Sequence, residues 1–95
     1  MTSGTKLKQI YLEGTYRDGR PYVAYLYLPS KPEEKRHRCR RVEPGMVLDI
    51  NKEGKLIGIE LTAPKMVTLE AINGILTEYG MPRLKDSDLA PLLAA

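Results

Sequence analysis

The sixteen residues Met46-Val-Leu-Asp-Ile-Asn-Lys-Glu-Gly-Lys-Leu-Ile-Gly-Ile-Glu-Leu61 constrain the fold more than any other segment. Two apolar runs flank Asn51-Lys52-Glu53-Gly54, a polar turn that closes on glycine, and this pattern reads as a β-hairpin. Two registers compete. A three-residue loop pairs Asn51 with Lys55 and sets Leu48 opposite Gly58 and Asp49 opposite Ile57. A four-residue loop pairs Ile50 with Lys55, Leu48 with Ile57 and Met46 with Ile59. The second gathers Met46, Leu48, Ile50, Ile57, Ile59 and Leu61 on one face, whereas a one-residue slip divides that set between two faces. The four-residue loop is therefore expected, with Gly54 at a positive φ that other residues resist. Val47, Asp49, Leu56, Gly58 and Glu60 then line the opposite face.

The remaining segments extend this hairpin into a sheet. Met1 to Thr5 reads as a loose tail. Leu7 to Tyr16 reads as a first strand, with Ile10 and Leu12 on one face and Tyr11 on the other. Arg17-Asp18-Gly19-Arg20 is a turn, because Asp-Gly is a strong hairpin signal. Tyr22 to Leu28 is rich in β-forming residues, and its aliphatic set Ala24, Leu26 and Leu28 is placed inward, leaving Val23, Tyr25 and Tyr27 outside. Pro29 to Glu34 is a polar loop whose two prolines oppose strand pairing. Arg36 to Val42 is a third strand. Glu43-Pro44-Gly45-Met46 suits a type II turn; a tight hairpin there faces Val42 with Val47 and Arg40 with Asp49.

Ala63-Pro64-Lys65-Met66 ends the sheet. Thr68 is a candidate N-cap, with Val67 and Ile72 at hydrophobic-staple positions. Leu69, Ile72, Ile75, Leu76 and Tyr79 follow helical spacing, and Gly80 with Pro82 is a stop signal, so a helix is expected from Leu69 to Tyr79. Asn73-Gly74 is unfavourable inside it and is read as a close approach of helix to sheet. Asp86-Ser87-Asp88-Leu-Ala-Pro-Leu-Leu suits a short final helix. The expected organisation is one domain over residues 1–95: tail 1–5, sheet 6–62, helix 68–80 and a C-terminal extension 81–95.

Composition limits the chemistry. A 95-residue chain without Trp or Phe can bury only a small, aliphatic core. Cys39 is the sole cysteine, which excludes an intramolecular disulfide framework and fits a reducing compartment. No apolar run reaches membrane-spanning length, and the first residues lack a signal peptide's apolar segment, so a cytoplasmic protein that does not enter a membrane is expected. The net charge of +3 is concentrated: Lys31, Lys35, Arg36, Arg38, Arg40 and Arg41 face only Glu33 and Glu34 between residues 31 and 41.

No residue set announces catalysis. His37 and Cys39 lie two apart on a strand and share a face, but no second Cys or His completes a metal site within one chain. Cys39 is expected to pack as a small hydrophobe near Ile50. Asp49 and Glu60 share a face and could act as acid and base, but solvent-facing strands carry such residues routinely, and Arg40 stands as a cross-strand partner for Asp49. Neither a phosphate-cradling glycine loop nor a zinc motif is present. Neither a cofactor, a metal site nor a catalytic residue is expected. The basic strand carries more weight. Arg36, Arg38 and Arg40 alternate and should project from one face, beside Tyr25 and Tyr27, and arginines beside aromatics on an open sheet suit single-stranded nucleic acid. Charged side chains on an edge strand also deter aggregation.

Ala24-Tyr25-Leu26-Tyr27-Leu28 loosely resembles a strand of the type A-L-Y-I-x-L. The run Pro44-Gly45-Met46-Val47-Leu48-Asp49-Ile50-Asn51-Lys52-Glu53-Gly54-Lys55-Leu56-Ile57-Gly58-Ile59-Glu60-Leu61 follows the pattern P-G-V-x-[VL]-D-Y-D-x-x-G-x-[VI]-[VI]-G-[IL]-E-[IL] more closely. Together they resemble a bacterial family of small proteins known as domain of unknown function number 2283. The third strand is mixed or acidic in that family and strongly basic here, and the N-terminal hairpin looks longer. The resemblance implies a β-meander with a C-terminal helix, and brings neither an activity nor catalytic residues.

The sequence thus points to an α+β domain: an antiparallel β-meander of about five strands with one C-terminal helix packed on its aliphatic face. One helix cannot cover both faces. Val23, Tyr25, Tyr27, Val47 and Leu56 on the outer face suggest a partner. The expected function is a small non-enzymatic interaction or regulatory module, such as an antitoxin-like subunit, that forms a homodimer or meets another protein. The alternative is a nucleic-acid binder using Arg36, Arg38, Arg40, Tyr25 and Tyr27.

Overall fold

The structure, a computed structural model, describes residues 11–17, 20–29 and 35–88. Among them, strands form in the order β1 (Tyr11–Arg17), β2 (Arg20–Tyr27), β3 (Arg38–Val42), β4 (Met46–Ile50) and β5 (Leu56–Leu61). A 3-10 turn at Pro64–Met66 leads into α1 (Leu69–Glu78). The expected tail, Ile10, the turn residues Asp18 and Gly19, loop residues 30–34 and the end of the final helix lie outside the described residues. The α+β class holds: a five-stranded antiparallel sheet carries one helix. Its spatial order is β1-β2-β5-β4-β3, so β2 pairs with β5, and β1 and β3 form the edges.

The β4–β5 hairpin uses the shorter loop. Asn51 N–H donates to the Lys55 carbonyl at 2.9 Å and Gly54 N–H to the Asn51 carbonyl at 3.0 Å. The Asn51 side-chain oxygen accepts from the N–H groups of Glu53 and Lys55 at 3.0 and 2.8 Å. Such Asx geometry makes asparagine a turn former, and Gly54 sits at φ +87° as expected. Ile50 pairs with Leu56, but Asp49 pairs with Gly58 and Leu48 with Ile59. Ile57 is left without an opposite residue, which is a β-bulge. The bulge absorbs the one-residue offset that argued against this loop. It corrects the face assignment of two residues: Leu56 is fully buried in the core, and Ile57 is half-buried and not part of it.

The β3–β4 hairpin also differs from expectation. Val42 pairs with Met46, Arg41 with Val47, Arg40 with Leu48, Cys39 with Asp49 and Arg38 with Ile50. The connection is Glu43-Pro44-Gly45, with a cis Glu43–Pro44 peptide rather than the type II turn, and with Gly45 at φ +68°. Pairing is thus offset by one residue, and because side chains alternate, every residue of β3 changes face.

The core is aliphatic throughout. Ala24, Leu26 and Leu28 of β2 and its extension meet Met46, Leu48, Ile50, Leu56, Ile59 and Leu61 from the central strands. Ile72, Ile75 and Leu76 of α1 cover them, together with Val67 and Leu84. Thr68 caps the helix as expected, its hydroxyl accepting from Ala71 N–H at 3.1 Å, and both staple residues are buried. The helix ends at Glu78 with Tyr79 as C-cap. Gly80 at φ +72° follows, and Met81 N–H closes onto the Leu76 carbonyl at 2.7 Å.

Gly74 does not mark a close approach. It is exposed, and a methyl group there would meet nothing within 4 Å. The neighbouring Asn73 carries the structural role. It is buried, its Nδ2 donates to the Leu84 carbonyl at 3.1 Å, and Leu84 N–H donates to its Oδ1 at 2.6 Å. That pair pins the segment after the helix so that Leu84 enters the core.

Gly74→Ala should therefore raise stability by about 0.5–1 kcal/mol, since alanine is the better helix former and has open space. Asn73→Ala should lower it by about 2–3 kcal/mol, because both backbone groups of buried Leu84 lose their partner. Urea unfolding with unchanged m-values measures both, and a destabilising Gly74→Ala would contradict the solvent-facing placement.

Candidate functional site

The strand registers set the outer face in rows. One row crosses all five strands: Glu13, Tyr25, Glu60, Val47, Arg41. The neighbouring row carries Tyr27, Gly58, Asp49 and Cys39. Where the rows meet, the Tyr25 side chain leans diagonally over Gly58. An added Cβ at Gly58 would overlap the phenol ring, so glycine is required by the close approach of a side chain.

The lean brings Tyr25 Oη to Asp49, where it donates to Oδ2 at 2.5 Å. The other oxygen of Asp49 accepts from Cys39 Sγ at 3.7 Å and lies 3.7 Å from Arg36 Nη1. Tyr27 meets Tyr25 edge-on, with centroids 4.6 Å apart and planes at 63°, a favourable aromatic geometry. Tyr27 Oη donates to Glu13 Oε1 at 2.9 Å. Glu13, Val23, Tyr25 and Glu60 line a shallow, open depression beside this pair. Burial pushes the Tyr25 phenol well above its ordinary value of about 10, and the hydrogen bond to Asp49 and that carboxylate's charge push it further, with Arg36 opposing in part.

The basic strand is split rather than aligned. Arg40 turns to the helix side, where its Nη1 donates to Glu78 Oε2 at 2.8 Å and to Tyr79 Oη at 3.0 Å. Those contacts hold its guanidinium more firmly protonated than usual. Arg38 lies opposite Ile50 and so faces the same side, while Arg36 reaches outer-face Asp49. The expected line of Arg36, Arg38 and Arg40 beside Tyr25 and Tyr27 does not form, because the one-residue offset of β3 sends Arg38 and Arg40 to the face opposite the tyrosines. Asp49 takes Arg36 rather than Arg40 as its cation. Cys39 is exposed beside Asp49, not packed near Ile50. His37 is exposed and bonds through its backbone to the Ile50 carbonyl at 2.8 Å.

Of the expected interface residues, Val23, Tyr25, Tyr27 and Val47 lie half-buried on the outer face, and Leu56 does not. Ile57 takes its place. Gly58 and Glu13 complete the arrangement. A glycine inside a strand is the sequence signal for the first, and alternation along β1, which sets Glu13 on the face of Tyr11, is the signal for the second. Among the described residues, no group of three or more His, Cys, Asp or Glu side chains is placed to hold a metal ion, and no helix is long and apolar enough to cross a membrane.

Residues 23–63 match a protein-family model described as a protein of unknown function (DUF2283). The match runs from Val23 within β2 to Ala63 after β5, so it holds Tyr25, Tyr27, Asp49 and Gly58 but not Glu13, and it supports the resemblance drawn from the hairpin. Neither a curated protein nor a solved structure matches the chain.

The lean of Tyr25 has a consequence in alkali. Its value in the folded state exceeds that in the unfolded state, so the protonated phenol contributes stability that is complete below about pH 10 and is lost as pH rises toward the folded value. Absorbance titration at 295 nm should show a late-ionising tyrosine that disappears in Tyr25→Phe. Gly58→Ala should return it to the ordinary range by displacing the ring, and Asp49→Asn should do so only partly, because burial is the larger cause. An ordinary midpoint for Tyr25 in the folded wild-type protein would contradict the geometry.

Proposed function

We propose that this domain is a non-enzymatic interaction module that self-associates through the outer face of its sheet. The observation that carries this reading is the state of that face. Val23, Tyr25, Tyr27, Val47 and Ile57 present half-buried apolar surface on the side opposite α1. The polar atoms among them are engaged within the subunit: Tyr25 on Asp49, Tyr27 on Glu13, and Asp49 on Cys39 and Arg36 as well. A face whose hydroxyl groups have partners of their own can be covered at low desolvation cost. The same engagement argues against acid–base catalysis, since both oxygens of Asp49 are held.

The alternative reading, a single-stranded nucleic-acid binder, loses its shared platform of arginines and tyrosines once Arg38 and Arg40 lie on the helix side. Its remaining support is the exposed charge of residues 35–41. Pairing of two copies edge to edge through β3 is disfavoured as well, because like charges would face each other.

Multi-angle light scattering should give twice the chain mass of 10.7 kDa at micromolar concentration. Val47→Asp combined with Ile57→Asp should give the monomer mass with the helical circular-dichroism signal retained, since neither residue belongs to the core. These positions test the face more cleanly than Tyr25, whose replacement by Glu would set a carboxylate against Asp49. A monomer mass for the wild-type protein across a wide concentration range would overturn the reading.

A further inference from the structure

The outer face leaves one strongly charged feature unaccounted for, the β3 edge. Among the described residues β3 pairs only with β4, so its other side carries backbone N–H and C=O groups that no described strand satisfies. Residues 35–41 are all exposed. Two of their cations are engaged, Arg40 with Glu78 and Arg36 with Asp49. Lys35, Arg38 and Arg41 make no ion pair among the described residues.

The free cations point to both faces of the sheet. Arg38 lies opposite Ile50 on the helix side, and Arg41 lies opposite Val47 on the outer side. A phosphate backbone running along one face would meet only one of them. An added β-strand differs, because its successive side chains alternate between faces. Acidic residues on both faces of such a strand would meet Arg38 on one side and Arg41 on the other, while its backbone takes up the unpaired edge. A second copy of β3 is disfavoured as the occupant by like-charge repulsion. We infer that β3 is a docking edge for an extended acidic segment of another protein, which adds to the sheet as a sixth strand by β-augmentation.

Both recognition elements can be tested apart. The probe is a fluorescein-labelled ten-residue peptide of glutamate and valine with acids on both strand faces, read by fluorescence anisotropy against the full chain at low salt. Saturable binding is expected. N-methylation of two adjacent central residues, which keeps the charge and removes donors from both peptide edges, should weaken it about tenfold or more. Arg38→Glu combined with Arg41→Glu should weaken it to a similar degree, since two attractive cross-strand pairs become repulsive. In hydrogen exchange, the peptide should protect amides within Arg38–Val42. Equal binding of the N-methylated peptide would show a charge effect without strand addition and overturn the inference. So would no binding at all, or capture of a single-stranded oligonucleotide in preference to the peptide. The light-scattering mass of the wild-type protein is independent of these outcomes, so failure here is distinguishable from failure of the self-association reading.

Discussion

The β-bulge at Ile57 is the constraint on which the rest of the structure depends. Asn51 draws the chain into a three-residue loop by accepting two backbone N–H groups on one side-chain oxygen. Uncorrected, that loop would turn Ile59 and Leu61 away from the side chains of Leu48 and Met46. One unpaired residue restores the phase. Leu56, Ile59 and Leu61 then all face the helix, and a core without aromatic residues closes beneath α1. The bulge also fixes what lies outside. It places Gly58 opposite Asp49 and expels Ile57, and only then can Tyr25 cross Gly58 to reach the Asp49 carboxylate.

This coupling makes the two faces of the sheet complementary in character. The inner face is sealed by Leu and Ile from strands and helix, with Arg40, Glu78 and Tyr79 at its margin. An exposed ion pair of this kind adds little to stability; its effect is to orient Arg40 away from the outer face. The outer face carries half-buried apolar groups around a phenol–carboxylate pair, Tyr25 and Asp49. The basic edge borders both faces, with Arg41 on the outer side and Arg38 on the helix side. Self-association through the centre of the outer face and strand addition at the β3 backbone would use different groups.

Much of the fold was legible in the sequence, for identifiable reasons. The aliphatic alternation of β2, the Thr68 cap with its staple and the Gly80 stop each rest on a local signal that tertiary packing did not override. What failed was register, in both hairpins around β4. Binary patterning fixes which residues should share a face but not how a loop and a bulge combine to achieve it. Two residues paid for that ambiguity, Leu56 and Ile57, which exchange roles. In β3 the exposed pattern gives no inward apolar set to fix the phase, so alternation alone cannot reveal the one-residue offset that turns Arg38 and Arg40 to the helix side. Asn73-Gly74 shows the same limit. The anomaly was visible, but its cause lay eleven residues ahead at Leu84.

Both faces of the sheet depend on the β4–β5 register, and cross-strand nuclear Overhauser effects measure it directly. The antiparallel pairing predicts proximity of Leu48 to Ile59 and of Asp49 to Gly58 across the strands, together with contact between the Tyr25 ring and the Gly58 α-protons. Proximity of Leu48 to Ile57 and of Met46 to Ile59 instead, without ring contact at Gly58, would return Leu56 to the outer face and contradict the account.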